Sequence, residues 1–149
     1  MLAVGGENGT IGLVNLHARS VSVRTKVTGK NVAVNAVSFL SKNLLIVGCE
    51  NGATLCYSLP ALTNIWILRD SDSSIMSLLS LPKLKGFIAG KLDGSCILYR
   101  LDSENQLTSL RVLLSGADTD PINTIKCDGH HIFTAARDGM IRKYNLLDI

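Results

Sequence analysis

The stretch LIVGCENGATLCYSL, Leu45–Leu59, sets two apolar runs on either side of a Glu-Asn-Gly turn. The same phrase stands at Leu2–Leu16 as LAVGGENGTIGLVNL, at Phe87–Leu101 as FIAGKLDGSCILYRL and at Ile132–Leu146 as IFTAARDGMIRKYNL. Its turn glycines, Gly9, Gly52, Gly94 and Gly139, lie 43, 42 and 45 residues apart. A repeat of this length with a strand–turn–strand core predicts the blades of a β-propeller. Such a fold is a platform for binding, so the search for function moves from enclosed pockets to the faces of a disc.

Working outward, Asn8, Asn51, Asp93 and Asp138 each stand directly before a turn glycine. Asn-Gly and Asp-Gly tolerate the positive φ values of type I′ hairpins, so a type I′ turn is predicted in every repeat. Asn8-Gly9-Thr10 is also a formal glycosylation sequence, but the turn already accounts for it. Largely apolar inner strands are predicted over Val34–Leu40, Ile75–Leu81 and Ile122–Cys127, as suits strands covered on both faces. More weakly patterned outer strands are predicted over Val21–Val27, Ile65–Leu68 and Leu110–Leu114.

The fold class expected is therefore all-β, a propeller with four-stranded blades of WD type. The chain forms one unit, 1–149, whose repeat hairpins are 2–16, 45–59, 87–101 and 132–146. The strands count as three, four, four and three, which makes about four blades of a larger ring of about seven. The chain is expected to be the C-terminal part of a longer one. Four blades alone would leave two unpaired sides, so the isolated unit is expected to be insoluble or oligomeric.

Composition removes several function classes. With 46% apolar and 18% charged residues the chain is globular, not disordered. A net charge of +3 is too mild to argue for nucleic acid or an anionic membrane. No apolar run reaches the roughly 18 residues of a membrane span, and Met1–Val4 lacks the basic flank of a secretory leader. Neither nucleic acid, membrane nor a small-molecule substrate is expected as a partner.

Catalytic chemistry finds no support either. The histidines are His17, in an outer loop, and the pair His130-His131 after Asp128-Gly129. No serine or cysteine stands in a nucleophile elbow, and no glycine-rich phosphate or dinucleotide loop is present. His130 and His131 beside Asp128 could bind a metal weakly, but a solvated turn explains them, and no metal or cofactor is expected. Cys49, Cys56, Cys96 and Cys127 are unevenly spaced without a CxxC pair, and read as buried free thiols of a cytoplasmic or nuclear protein.

The charge distribution says more. In a blade, the loop between second and third strands and the connection to the next blade lie on one face. That rule puts Glu7, Glu50, Asp70, Asp72, Asp93, Asp118, Asp120 and Asp138 on that face, against Lys30, Arg69 and Arg137. The opposite face receives Arg19, Lys42, Lys83 and Lys85 with Asp102, Glu104 and Asp128. An acidic face is thus predicted under a positive net charge, and it would steer in a basic partner. Asp93 and Asp138 are explained by their turns, and Asp118 could cap the turn into Pro121. Glu7, Glu50, Asp70, Asp72 and Asp120 have no evident structural task, and with Asp118 they are the candidate partner-binding residues. Tyr57, Tyr99 and Tyr144 are expected to pack between blades.

The repeats resemble WD repeats with systematic departures. The position usually held by Trp carries Val14, Tyr57, Tyr99 and Tyr144, and the next carries Asn15, Ser58, Arg100 and Asn145 in place of Asp. No Gly-His precedes the inner strands, so the Asp-His-Ser-Trp network of a standard WD blade cannot be assembled. Phe39–Gly52, Ile75–Leu81, Asp93–Tyr99, LSGADTDPI (Leu114–Ile122) and RDGMIRKYNLLDI (Arg137–Ile149) resemble, in order, the C-terminal half of the proteasomal ATPase-associated factor 1 family. The resemblance implies a non-catalytic propeller that binds ATPase subunits of the proteasome regulatory particle and regulates or chaperones proteasome assembly. The alternative is a general WD adaptor, such as a ubiquitin-ligase substrate receptor or an RNA-processing scaffold.

Overall fold

A computed structural model describes residues 1–27, 31–114 and 119–149. Lys30 and Asp118 of the predicted face lie outside the described residues. The strands are β1 (Leu2–Gly5), β2 (Thr10–Asn15), β3 (Ser20–Lys26), β4 (Val34–Ser41), β5 (Leu44–Cys49), β6 (Thr54–Ser58) and β7 (Thr63–Leu68). They continue as β8 (Ile75–Leu81), β9 (Gly86–Lys91), β10 (Cys96–Leu101), β11 (Leu107–Leu113), β12 (Ile122–Cys127), β13 (His131–Ala136) and β14 (Ile141–Asn145).

These strands form four antiparallel meanders, β1-β2-β3, β4-β5-β6-β7, β8-β9-β10-β11 and β12-β13-β14, which are propeller blades of three, four, four and three strands. Strand alternation sends successive side chains to opposite faces, and each inner blade uses both. On β5, Leu45, Val47 and Cys49 pack toward the first blade, while Leu44 and Ile46 pack toward the third. Among the described residues three apolar cores result, one per seam between neighbouring blades. Tyr57 and Tyr99 are buried in two of these cores and Tyr144 packs against the third, as expected.

Adjacent inner strands are joined near the ring axis by polar side chains. The Ser38 and Ser80 hydroxyls are 2.8 Å apart, and Ser77 Oγ donates to the Ile122 carbonyl at 2.8 Å. The blades also approach closely there. A Cβ on Gly90 would stand 2.6 Å from Cγ2 of Ile122 on the next blade, so that position admits hydrogen only.

The hairpin turns correct one expectation. Only the glycines take positive φ: 75° at Gly9, 81° at Gly52, 84° at Gly94 and 78° at Gly139. Asn8, Asn51, Asp93 and Asp138 do not, so the turns are not type I′. In each, the glycine N–H donates three residues back, as from Gly9 to the Gly6 carbonyl. The Asn or Asp side chain meanwhile accepts the N–H two residues on, from Thr10, Ala53, Ser95 and Met140 in turn. The loop is a longer turn closed by a left-handed glycine, with the Asx side chain as its inner brace.

Candidate functional site

The connections of the first three blades meet in an open cleft of about 720 Å³. Glu7 enters from the β1–β2 turn, Glu50 from the β5–β6 turn and Asp72 from the segment joining β7 to β8. Asn35, Ser73 and Ser74 add hydrogen-bonding groups to its walls, and Met76 and Leu92 add apolar ones. Three of the six carboxylates singled out in the sequence are therefore together. Each belongs to an exposed residue. Asp72 is paired with Arg69 at 2.8 Å, but its side chain is 90% exposed, and so wet a pair is worth only about 0–1 kcal/mol. A partner's cation can compete for it. Asp120 is half-buried just before β12 and is not among the residues lining the cleft.

Asp70 differs, and the expectation that it lacks a structural task is corrected. Its backbone is at the surface, but its carboxylate turns inward and is only 15% exposed. Lys91 at the end of β9 donates to Oδ1 at 2.5 Å, and the Tyr99 hydroxyl on β10 donates to Oδ2 at 2.5 Å. Arg111 on β11 stands 3.6 Å from Oδ2 and lies over the Tyr99 ring. Partial burial by itself raises the Asp70 carboxyl. The bonds from Lys91 and Tyr99 and the charges of Lys91 and Arg111 outweigh that and hold it below the usual carboxylate range. Burial first, and then the adjacent carboxylate, push the Tyr99 phenol well up, so it remains a donor. Lys91 is 2% exposed; a cation so buried requires such a counter-charge.

Sequence reasoning missed Lys91, although a signal was present. Three residues before the turn glycine the repeats carry Gly6, Cys49, Lys91 and Ala136. A lone charge in a column of small apolar residues asks for a buried partner. Stiffening of the second seam, which the absent WD network could not supply, comes from this set and from the ring ladder Trp66–Phe87–Tyr99, stacked at 6.0 and 5.1 Å.

Other candidate chemistry dissolves into local structure. The exposed Asp128 carboxylate accepts the N–H groups of His130 and His131 and faces His131 Nδ1 at 3.2 Å. Those bonds, the backbone ones first, hold it well below its usual range. Among the described residues no three or more His, Cys, Asp or Glu groups are placed to hold a metal. All four cysteines are free thiols, and burial pushes Cys49 up to about 11 and Cys56 and Cys96 up to about 12, far from thiolate chemistry. A smaller groove of about 230 Å³ on the first blade is lined mainly by Val4, Val14, Val21 and glycines, with Arg24 as its charge.

No protein-family model matches the chain. It is 35% identical over 120 residues to proteasomal ATPase-associated factor 1 of Bos taurus and 34% identical over 120 residues to that of Homo sapiens. Each match covers 78% of this chain and 28% of the relative. Probable proteasomal ATPase-associated factor 1 of Dictyostelium discoideum is 26% identical over 157 residues, 98% of this chain and 36% of that protein. The chain thus resembles these proteins over most of its own length, while the match spans less than a third of the bovine and human relatives. The solved structure of the computationally designed Ika4 protein superposes with a TM-score of 0.76 at 16% identity, over 96% of this chain and 83% of that one. That likeness shows the propeller fold and nothing further.

Proposed function

We propose that the protein is a non-catalytic binding propeller that associates with ATPase subunits of the proteasome's regulatory particle through its acidic cleft and regulates or chaperones proteasome assembly. The observation that carries the acidic-cleft part is the convergence of Glu7, Glu50 and Asp72 from three separate connections on one concave surface. Carboxylates so gathered focus a negative potential that speeds encounter with a basic surface. The proteasomal part is supported by the relatives, which are named for association with those ATPases. Three buried thiols suit a reducing compartment, the cytoplasm or the nucleus.

The test is co-purification of proteasomal ATPase subunits with the wild-type protein and with Glu7→Gln, Glu50→Gln, Asp72→Asn together. The triple variant is expected to lose about tenfold in affinity, as when desolvated charged pairs are removed. Wild-type binding is expected to weaken between low and physiological salt. An ATPase complex indifferent to both changes rejects the cleft as the contact. Failure to recover any proteasomal ATPase rejects the partner.

A further inference from the structure

The cleft's third carboxylate rides on a segment with no regular structure of its own. Residues 69–74 join β7 to β8, yet they are tied down along their length. Arg69 Nε donates to the Asn51 carbonyl at 3.0 Å on the neighbouring hairpin. Lys91 Nζ donates both to Asp70 and, at 3.1 Å, to Ser71 Oγ. The Asp93 N–H donates to Ser73 Oγ at 3.0 Å, and the Leu92 N–H to the Ser74 carbonyl at 2.9 Å. Asn35 from the second blade donates to Ser74 Oγ at 2.9 Å. Among the described residues Asp72 itself has only its exposed ion pair with Arg69. Its place in the cleft is therefore set by the backbone on either side, and just N-terminal to it the buried ammonium of Lys91 fixes Asp70 and Ser71.

We infer that Lys91 is a positioning residue for the acidic cleft: by gripping Asp70 and Ser71 it presents Asp72 to a basic polypeptide in a fixed place. The inference rests on the reading of the cleft as a docking surface for basic segments. Preorganisation of this kind lowers the ordering cost that binding must otherwise meet. Charge alone makes the opposite forecast. Removing a cation beside the cleft leaves that face more negative, and a basic ligand should then bind more tightly.

The experiment uses Lys91→Met, Lys91→Arg and Ser71→Ala in the intact protein, with a labelled oligolysine peptide at low salt as the probe. Amide hydrogen exchange at Leu92 and Asp93, whose N–H groups donate to Ser74 and Ser73 of the segment, is the second readout. Lys91→Met is expected to speed exchange at Leu92 and Asp93 about tenfold or more and, despite the lost positive charge, to weaken oligolysine binding about threefold to tenfold. Lys91→Arg is expected to restore part of both. Ser71→Ala, which keeps every charge, should move both readouts in the same direction by less, and it carries the test if Lys91→Met fails to fold. Tighter oligolysine binding by Lys91→Met, or unchanged exchange at Leu92 and Asp93 in both Lys91→Met and Ser71→Ala, overturns the inference. If the wild type does not bind oligolysine, or the Glu7, Glu50 and Asp72 triple variant binds it equally well, the cleft reading itself falls and the inference falls with it. Tighter binding confined to Lys91→Met removes only the positioning role.

Discussion

The first and second seams of this propeller are made from the same repeat, yet only one is ionic. Between the first and second blades, Ile11, Leu13, Leu45, Val47 and Leu55 pack with Cys49 at the strand end, and the Tyr57 hydroxyl reaches the Val27 carbonyl at 3.5 Å. Between the second and third, the equivalent end is Lys91 and the equivalent tyrosine is Tyr99, and both point at Asp70. In the third seam the position is Ala136, and the buried Thr134 hydroxyl has no hydrogen-bond partner among the described residues. Apolar burial is therefore enough to join two blades here. The charged set is an addition: it costs desolvation, contributes little net stability relative to an apolar replacement, and fixes one orientation. It sits in the seam whose connecting segment also carries the cleft residue Asp72.

The largest break in this comparison should come from deleting one charge. Lys91→Met leaves Asp70 turned inward without its main partner. Removing one member of a buried pair costs about 3–5 kcal/mol, and the lower end applies because the Asp70 side chain keeps 15% exposure. Cys49→Ala at the same place in the first seam should cost only about 1 kcal/mol, as a small cavity. Urea unfolding midpoints of the two variants decide it; equal losses would mean that the second seam is not held differently from the first.

Much of this architecture was legible in the sequence, and the gaps have physical causes. The four-fold phrase gave the blades because each copy carries its own turn chemistry. The inner strands Ile75–Leu81 and Ile122–Cys127 lie where their apolar runs placed them. Outer strands begin earlier than read, at Thr63 and Leu107, because half-exposed strands such as Thr63-Asn64 and Thr108-Ser109 show no apolar pattern. The turn type was misread because Asn-Gly serves type I′ hairpins and longer glycine-closed loops alike. Which one forms depends on register, here Gly6 bonding to Thr10 across the loop. Glu7, Glu50 and Asp72 were placed on one face by topology alone. Asp70 was misjudged because its partners lie 21 and 29 residues further on, in another blade.

A smaller break tests close packing, which the seams share. Gly90→Ala drives a methyl to 2.6 Å from Ile122 and should cost about 1–3 kcal/mol, as overpacked sites do. The matching position in the last blade is already Ala135. Ala135→Gly there should lose only the roughly 0.5–1 kcal/mol that glycine costs within a strand. Thermal unfolding of the pair sharpens the comparison, and a harmless Gly90→Ala would show that the third blade's approach to the fourth is not tight.

Next come the two tyrosines. Tyr99→Phe removes a hydrogen bond to a charged group and should cost about 1.5–3 kcal/mol. Tyr57→Phe removes a bond at the 3.5 Å limit and should cost about 0.5 kcal/mol or less. Similar losses in urea midpoint would place the strength of the second seam in its ring ladder, not in the carboxylate.

The smallest effect is one of pH, and it isolates the carboxylate from everything packed around it. Asp70 is held below its usual range in the folded protein, after its partial burial is outweighed by Lys91, Tyr99 and Arg111. Its contribution to stability is therefore fully present above the unfolded-state carboxylate value, about 3.9, and is lost as pH falls through the lower folded value. Asp93, Asp128 and Asp138 are lowered too, so acid destabilises the whole molecule. Those groups remain in Asp70→Asn and cancel when the variant is compared with the wild type. The gap in unfolding midpoint between the two should stay constant from about pH 7 down to about pH 5 and then narrow below about pH 4. A gap unchanged down to about pH 2 would mean that Asp70 holds the seam by shape and neutral hydrogen bonding, without its charge. The contrast between the two seams would then be one of packing alone.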